Sequence, residues 1–236
     1  MFRIKIAGLV FEVDNRYSYV ERICSSYKIV TDEPPVLRVS ASTKDIVERI
    51  KKTSGFLNSE RAEAYVLYDL MCRELHKYDA IMLHSSLVGL DGYAYAFSGK
   101  KGVGKSTQAS LWVSYFKDKA QIVCGDKPIL RFEDGKLYAY GTPFSGKEGY
   151  NINNRLQLKS ICFLKQSYAN KMISVSPEEF VNEFLSQTVL PSPLDADTIA
   201  SVSSLLGRIH AAVPSFYLYC NMSDDAVITA YETINQ

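Results

Sequence analysis

What this chain lacks narrows its reading before any motif is met. No stretch approaches the roughly 18–20 consecutive apolar residues that a membrane-crossing helix requires. The N-terminus, Met1-Phe2-Arg3-Ile4-Lys5-Ile6, alternates like a strand and has no uninterrupted apolar signal core. Neither sign of charge is in excess: 27 Lys and Arg stand against 26 Asp and Glu, which argues against a general nucleic-acid or membrane-surface binder. The five cysteines, at 24, 72, 124, 162 and 220, include no C-x-x-C pair; odd in number and dispersed, they read as reduced core thiols of a cytoplasmic protein. Internal repeats, low-complexity tracts and obvious linkers are missing too. There is no G-x-S-x-G elbow for a hydrolase and no Asn-Lys-x-Asp guanine motif. These absences predict a soluble, cytoplasmic protein with no nucleic-acid and no membrane partner.

What is present is more specific. Gly99-Lys100-Lys101-Gly102-Val103-Gly104-Lys105-Ser106 is a complete G-x-x-x-x-G-K-S/T loop. The apolar run Tyr93–Phe97 leads into it and the helix-prone Thr107–Trp112 leads out, the strand–loop–helix context a phosphate loop needs. Glycines at 99, 102 and 104 let the backbone curl so that successive N–H groups point inward, and the helix N-terminus adds its positive dipole end. Lys105 is then expected to reach the β- and γ-phosphates, Ser106 to ligate Mg²⁺, and Thr107 to complete the cradle. The expected ligands are ATP, or another nucleoside triphosphate, and Mg²⁺.

At 236 residues the chain reads as a single α/β domain, with residues 1–57 a strand-rich part packed on the core and 80–165 the nucleotide-binding core. Strands are expected at Phe2–Ile6, Leu9–Val13 and Val36–Val39. Residues 58–78 change period and predict an amphipathic helix of about 18 residues, opened by Asn58 or Ser59. Two apolar strands, Ala80–Leu83 with Leu87-Val88 and Tyr93–Phe97, flank the hairpin signal Gly89-Leu90-Asp91-Gly92. Beyond the phosphate loop come a strand at Gln121–Cys124, a hairpin around Glu133-Asp134-Gly135, a strand at Ser160–Leu164, helices near 177–188 and 195–213, a strand at Phe216–Cys220 and a helix from Asp224. The fold class is mixed α/β, with hairpin-rich sheets around the phosphate loop, and not the regular alternation of a doubly wound sheet.

Magnesium triphosphate is held from two sides, so a second acidic group is expected at a neighbouring strand end. Asp126 answers to this: it closes the apolar strand Gln121–Cys124, 21 residues after Lys105, with Gly125 leaving room beside it. Lys127 either contacts phosphate or is solvated. Residues 142–150, polar and glycine-containing, form either a loop closing on phosphates, with Lys147 and then Arg155 as candidates to neutralise charge, or a mobile surface loop. On its residues alone His84, beside Ser85 and Ser86, reads more readily as a hydrogen-bonded structural histidine than as a functional one.

The strand–turn–strand around His84-Ser85-Ser86-Leu87-Val88 and Gly92-Tyr93-Ala94, the loop after it and the later Gly-Asp strand end resemble the HPr kinase/phosphorylase superfamily. The likeness is to the small HPr-kinase-like proteins encoded near peptide-modification systems, and it covers roughly residues 80–165 in detail. It implies a core shared with ATP-dependent phosphoenolpyruvate carboxykinase. It also implies a catalytic set of Asp126, His84 and Lys105, a nucleotide site over Gly99 to Thr107, and metal ligation by Ser106 and Asp126. In that family an Asp-Asp pair supplies metal ligation and the base; here Gly125 stands at its first position. Two functions follow as expectations: an ATP-dependent kinase acting on a hydroxyl, a serine of a protein or peptide acceptor, or a nucleotide-binding adaptor of a modification pathway that has lost the chemistry. Ring assembly in that family leaves a homo-oligomer open.

Overall fold

The computed structural model describes residues 1–146 and 149–236. The N-terminal part holds β1 (Phe2–Ile6), β2 (Leu9–Asp14), α1 (Ser18–Ile23), β3 (Lys28–Ile29), β4 (Leu37–Ser40), α2 (Thr43–Lys52) and α3 (Ser59–Glu74). Its four strands lie in the order β3-β1-β2-β4. Residues 1–45 are therefore not only strands, since α1 and the start of α2 fall among them. Buried Glu63 of α3 makes the short α1 possible: its carboxylate accepts from the backbone N–H groups of Arg16 (2.6 Å) and Tyr17 (3.0 Å), just ahead of that helix. α2 opens on a capping box between Ser42 and Asp45.

The second sheet contains β5 (Ala80–Met82), β6 (Ser85–Leu90) and β7 (Tyr93–Ser98), after which α4 (Lys105–Phe116) leaves the phosphate loop. Then follow β8 (Ala120–Cys124), β9 (Ile129–Glu133), β10 (Lys136–Tyr140), β11 (Arg155–Gln166), β12 (Lys171–Ser174), α5 (Pro177–Leu185), α6 (Ala196–Ala212), β13 (Ser215–Cys220) and α7 (Asp224–Ile234). β6 and β7 meet in a two-residue turn, with Asp91 and Gly92 both at positive φ (51° and 82°), the turn that matches strand twist. The apolar run from Ala80 is two strands with a break at Leu83-His84. β8 and β9 break opposite it, at Gly125 to Pro128.

The two breaks face each other without losing register. Met82 pairs with Ile129, Leu83 N–H donates to Pro128 O (3.2 Å), Ser85 N–H to Asp126 O (2.9 Å), and Leu87 pairs with Cys124. Two bent strands thus run side by side through one corner. Because β9 continues through β10, β11 and β7 back to β6, the hydrogen-bonded path returns on itself and the sheet rolls up. At β11 it also forks, with β13 joining parallel and β12 antiparallel to β13. The fold is mixed α/β, its sheets rich in hairpins.

Three apolar clusters hold these parts. One joins the N-terminal sheet and α3 to β5 and β9. A second packs the rolled sheet on Phe180 and Phe184 of α5 and Leu205, Leu206 and Ile209 of α6. The third seats α4 and α7 around Trp112. With both faces covered, β6 is buried at every residue, which explains why Leu87 and Val88 stand adjacent with no apolar–polar alternation. Among the described residues no helix is long and apolar enough to cross a membrane.

Candidate functional site

β7 delivers the chain into the loop, and the loop's curl is visible in its dihedrals. Gly99, Gly102 and Gly104 all have positive φ (143°, 83° and 113°). Gly104 is the residue before α4, so its left-handed backbone is what turns the chain into the helix. At Gly99 a side chain would also be crowded, since a β-carbon would lie 3.1 Å from Val103 Cγ1. Lys105 is buried under this loop, its Nζ donating to Gly99 O (2.8 Å) and Lys100 O (3.3 Å). Burial pushes the ammonium's pKa down, and the negative charge of Asp126 pulls it the other way. Lys100 and Lys101 of the loop and Thr107 of α4 are exposed, Val103 and Ser106 half-buried.

The corner of the bent strands supplies the other half. His84 Nε2 stands 2.8 Å from Asp126 Oδ1. Burial alone would raise the Asp126 pKa; the His84 hydrogen bond and charge, helped by Lys127 and Lys105, outweigh it and hold the carboxyl below its ordinary range. The pair is fixed from behind by backbone. His84 N–H donates to Gln187 O (2.7 Å), Ser98 Oγ to His84 O (3.0 Å) and Ser86 Oγ to Gly125 O (2.9 Å). Ser98 is the last residue of β7, so this one hydroxyl ties the corner to the start of the phosphate loop.

The structure bears on the remaining expectations in turn. The Lys127 ammonium lies 4.4 Å from the ring centroid of Tyr65 on α3 and its charge acts on Asp126, while its carbonyl accepts from Tyr68 Oη (2.7 Å) and Thr142 Oγ1 (2.8 Å). Arg155 begins β11, at the opposite end of the sheet from the phosphate loop, and pairs with Glu133. The first half of the 142–150 stretch is no mobile surface loop: Thr142, Phe144 and Ser145 are buried, and Phe144 stacks on Tyr68 at 4.3 Å. Lys147 lies outside the described residues. Tyr65 and Tyr68 are the site neighbours that sequence reasoning missed. Their spacing of three on a helix was the available signal, but it reads as ordinary core.

Gly125, beside Asp126, is closely packed. Its N–H donates to Tyr150 O (2.9 Å), and a β-carbon there would lie 3.0 Å from Ser145 O and 3.6 Å from Tyr150 Cβ. Gly146 passes over Asp126 in turn, its would-be β-carbon 3.4 Å from Oδ2. Gly125→Asp is therefore expected to destabilise the protein by about 1–3 kcal/mol through overpacking, instead of restoring a second carboxylate. Urea denaturation checks this; unchanged or greater stability would show that the 142–146 segment yields easily.

Among the described residues no cluster of three or more His, Cys, Asp and Glu side chains is assembled for a metal. The oxygen donors present, Ser106 Oγ and the Asp126 carboxylate, suit a hard cation that takes its remaining ligands from phosphate and water. The molecule is thus a mixed α/β protein in which a glycine-rich loop with a buried lysine and a histidine–carboxylate pair share one edge of a rolled sheet. No family model matches the chain, and no curated protein matches it. Among solved structures it is similar to the HPr(Ser) kinase/phosphatase from Coxiella burnetii, at 13% identity and a TM-score of 0.29, over 55% of this chain and 90% of that one.

Proposed function

We propose that this chain is an ATP-dependent kinase that transfers the γ-phosphoryl group to a hydroxyl, a serine of a protein or peptide. The observation that carries this reading is the His84–Asp126 pair, held 2.8 Å apart beside a loop whose lysine feels the same carboxylate. In this reading the loop's N–H groups receive the phosphate oxygens, and Lys105 exchanges its two carbonyl partners for the β- and γ-phosphates. Ser106 and Asp126 would hold Mg²⁺, which when bound neutralises charge on the phosphoryl oxygens. Asp126, kept ionised by His84, orients the acceptor hydroxyl and takes its proton as the new O–P bond forms and the bond to the leaving nucleoside diphosphate breaks. A carboxylate of low basicity serves here, because in a loose transition state the proton leaves late.

The covered backbone at Gly125 favours a second reading, a nucleotide-binding adaptor, because one carboxylate must do the work of two. Titration and transfer assays separate them. Lys105→Ala is expected to weaken Mg·ATP binding about 100-fold, the loss of two charge-assisted contacts. Unchanged affinity would sink the phosphate-loop reading itself. Tight binding without transfer to any serine-containing acceptor, from wild type, would leave the adaptor standing.

A further inference from the structure

Strands β7, β11 and β13 are mutually parallel, so all three end on the edge that carries the phosphate loop. Ligands of such sheets lie beyond the carboxyl ends of the strands. Asp126 follows β8, on one side of the loop, whereas β11 and β13 lie on the other. If the γ-phosphoryl end of a nucleotide faces Asp126, as proposed above, the nucleoside must lead away over β11 towards β13. The path begins at the loop itself: Gln166 Nε2 donates to Gly102 O (3.4 Å), and the turn 167–170 follows directly.

That turn is firmly held yet displays an uncovered aromatic ring. Ser167 N–H donates to Cys220 O (3.0 Å), Asn221 Nδ2 to Tyr168 O (3.0 Å), Asn221 N–H to Asn170 Oδ1 (3.0 Å) and Asn170 Nδ2 to Ser223 Oγ (3.4 Å). On this frame Tyr168 is 101% exposed, and Met222, on the adjoining loop, is 79% exposed. The backbone bonds fix where the side chain projects, so stacking on it orders little further chain. Asp224 and Asp225, exposed in the first turn of α7 close by, repel phosphate and leave this end to the uncharged half of a nucleotide.

We propose that Tyr168, flanked by Met222, is the platform on which the base of the bound nucleotide stacks. The proposal rests on the phosphate-loop reading, and its test keeps the two apart. Mg·ATP and magnesium tripolyphosphate, which has the charge but no base, are titrated against wild type, Tyr168→Ala, Tyr168→Trp and Lys105→Ala. Tyr168→Ala, which removes no buried contact, is expected to weaken ATP about 10-fold and to leave tripolyphosphate within about twofold, while Tyr168→Trp binds ATP at least as well as wild type. Lys105→Ala weakens both ligands. Unchanged ATP affinity in Tyr168→Ala, with Lys105→Ala impaired, overturns the platform and spares the phosphate loop. The same result with a lower oligomeric state would assign the patch to a second copy of the chain, and also overturns it. If Lys105→Ala alters neither ligand, the underlying reading falls and the platform with it.

Discussion

Asp126→Asn is expected to lower phosphoryl transfer by about 10²–10⁴-fold while nucleotide binding survives within a few-fold. Asparagine matches aspartate in shape, keeps an oxygen for His84 Nε2, and leaves the backbone bond from Ser85 to residue 126 in place. What it removes is the charge, and with it the capacity to take a proton and most of the attraction for a cation. The Mg²⁺ dependence of ATP affinity should therefore flatten in the variant. Acid stability gives a second readout. The Asp126 pKa is depressed, so the stabilisation from its pairing is fully present above the ordinary carboxylate value of about 4. It is lost as pH falls through the depressed value. The stability gap between wild type and Asp126→Asn should close only in that acid window. Transfer at the wild-type rate by Asp126→Asn would remove Asp126 from the chemistry.

Trp112→Ala is expected to cost about 3–5 kcal/mol of stability, the usual penalty for emptying a large aromatic site. Trp112 is fully buried on α4 and packs against Tyr95 and Phe97 of β7 (ring centroids 4.8 and 5.2 Å), Phe116 (5.5 Å) and Tyr231 of α7 (6.2 Å). It therefore joins the strand before the phosphate loop to the helix after it. Its indole N–H has no hydrogen-bond partner among the described residues, so the loss is one of packing, and Trp112→Phe should recover most of it. Urea unfolding provides the measurement. A change below about 1 kcal/mol would mean that α4 is held by other contacts.

The legibility of the sequence varied with the range of the forces involved. β1, β2, α3, the Asp91-Gly92 turn and α4 are written in local period and capping, and their place in the chain was readable. α2 carries the same kind of local signal in its Ser42 and Asp45 capping box, although residues 1–57 are expected above as strand-rich. α1 was not readable: six residues long, it depends on Glu63, 46 residues beyond Tyr17, to receive the N–H groups ahead of it. β3, of two residues, exists only because β1 offers an edge. The closure of the sheet is a register between segments about 40 residues apart, for which no local pattern stands. At the candidate site the loop was legible because its spacing is rigid. The covering role of Tyr65 and Tyr68, and the burial of Phe144, came from tertiary contact and left no mark of their own.

The shared corner also sets how the chain tolerates changes in length. Leu83 with Pro128, Ser85 with Asp126 and Leu87 with Cys124 keep one count through both breaks. One residue inserted on either side of His84, or between Gly125 and Pro128, would turn every later side chain of that strand to the opposite face. A matched insertion, one residue in each strand, would preserve the pairing across the corner, whereas a single one would need a bulge like that already present just beyond it, between Leu87 and Val88. The hairpin at Glu133 to Lys136, remote from the corner and free of that shared count, is by contrast the place to graft a tag or a reporter.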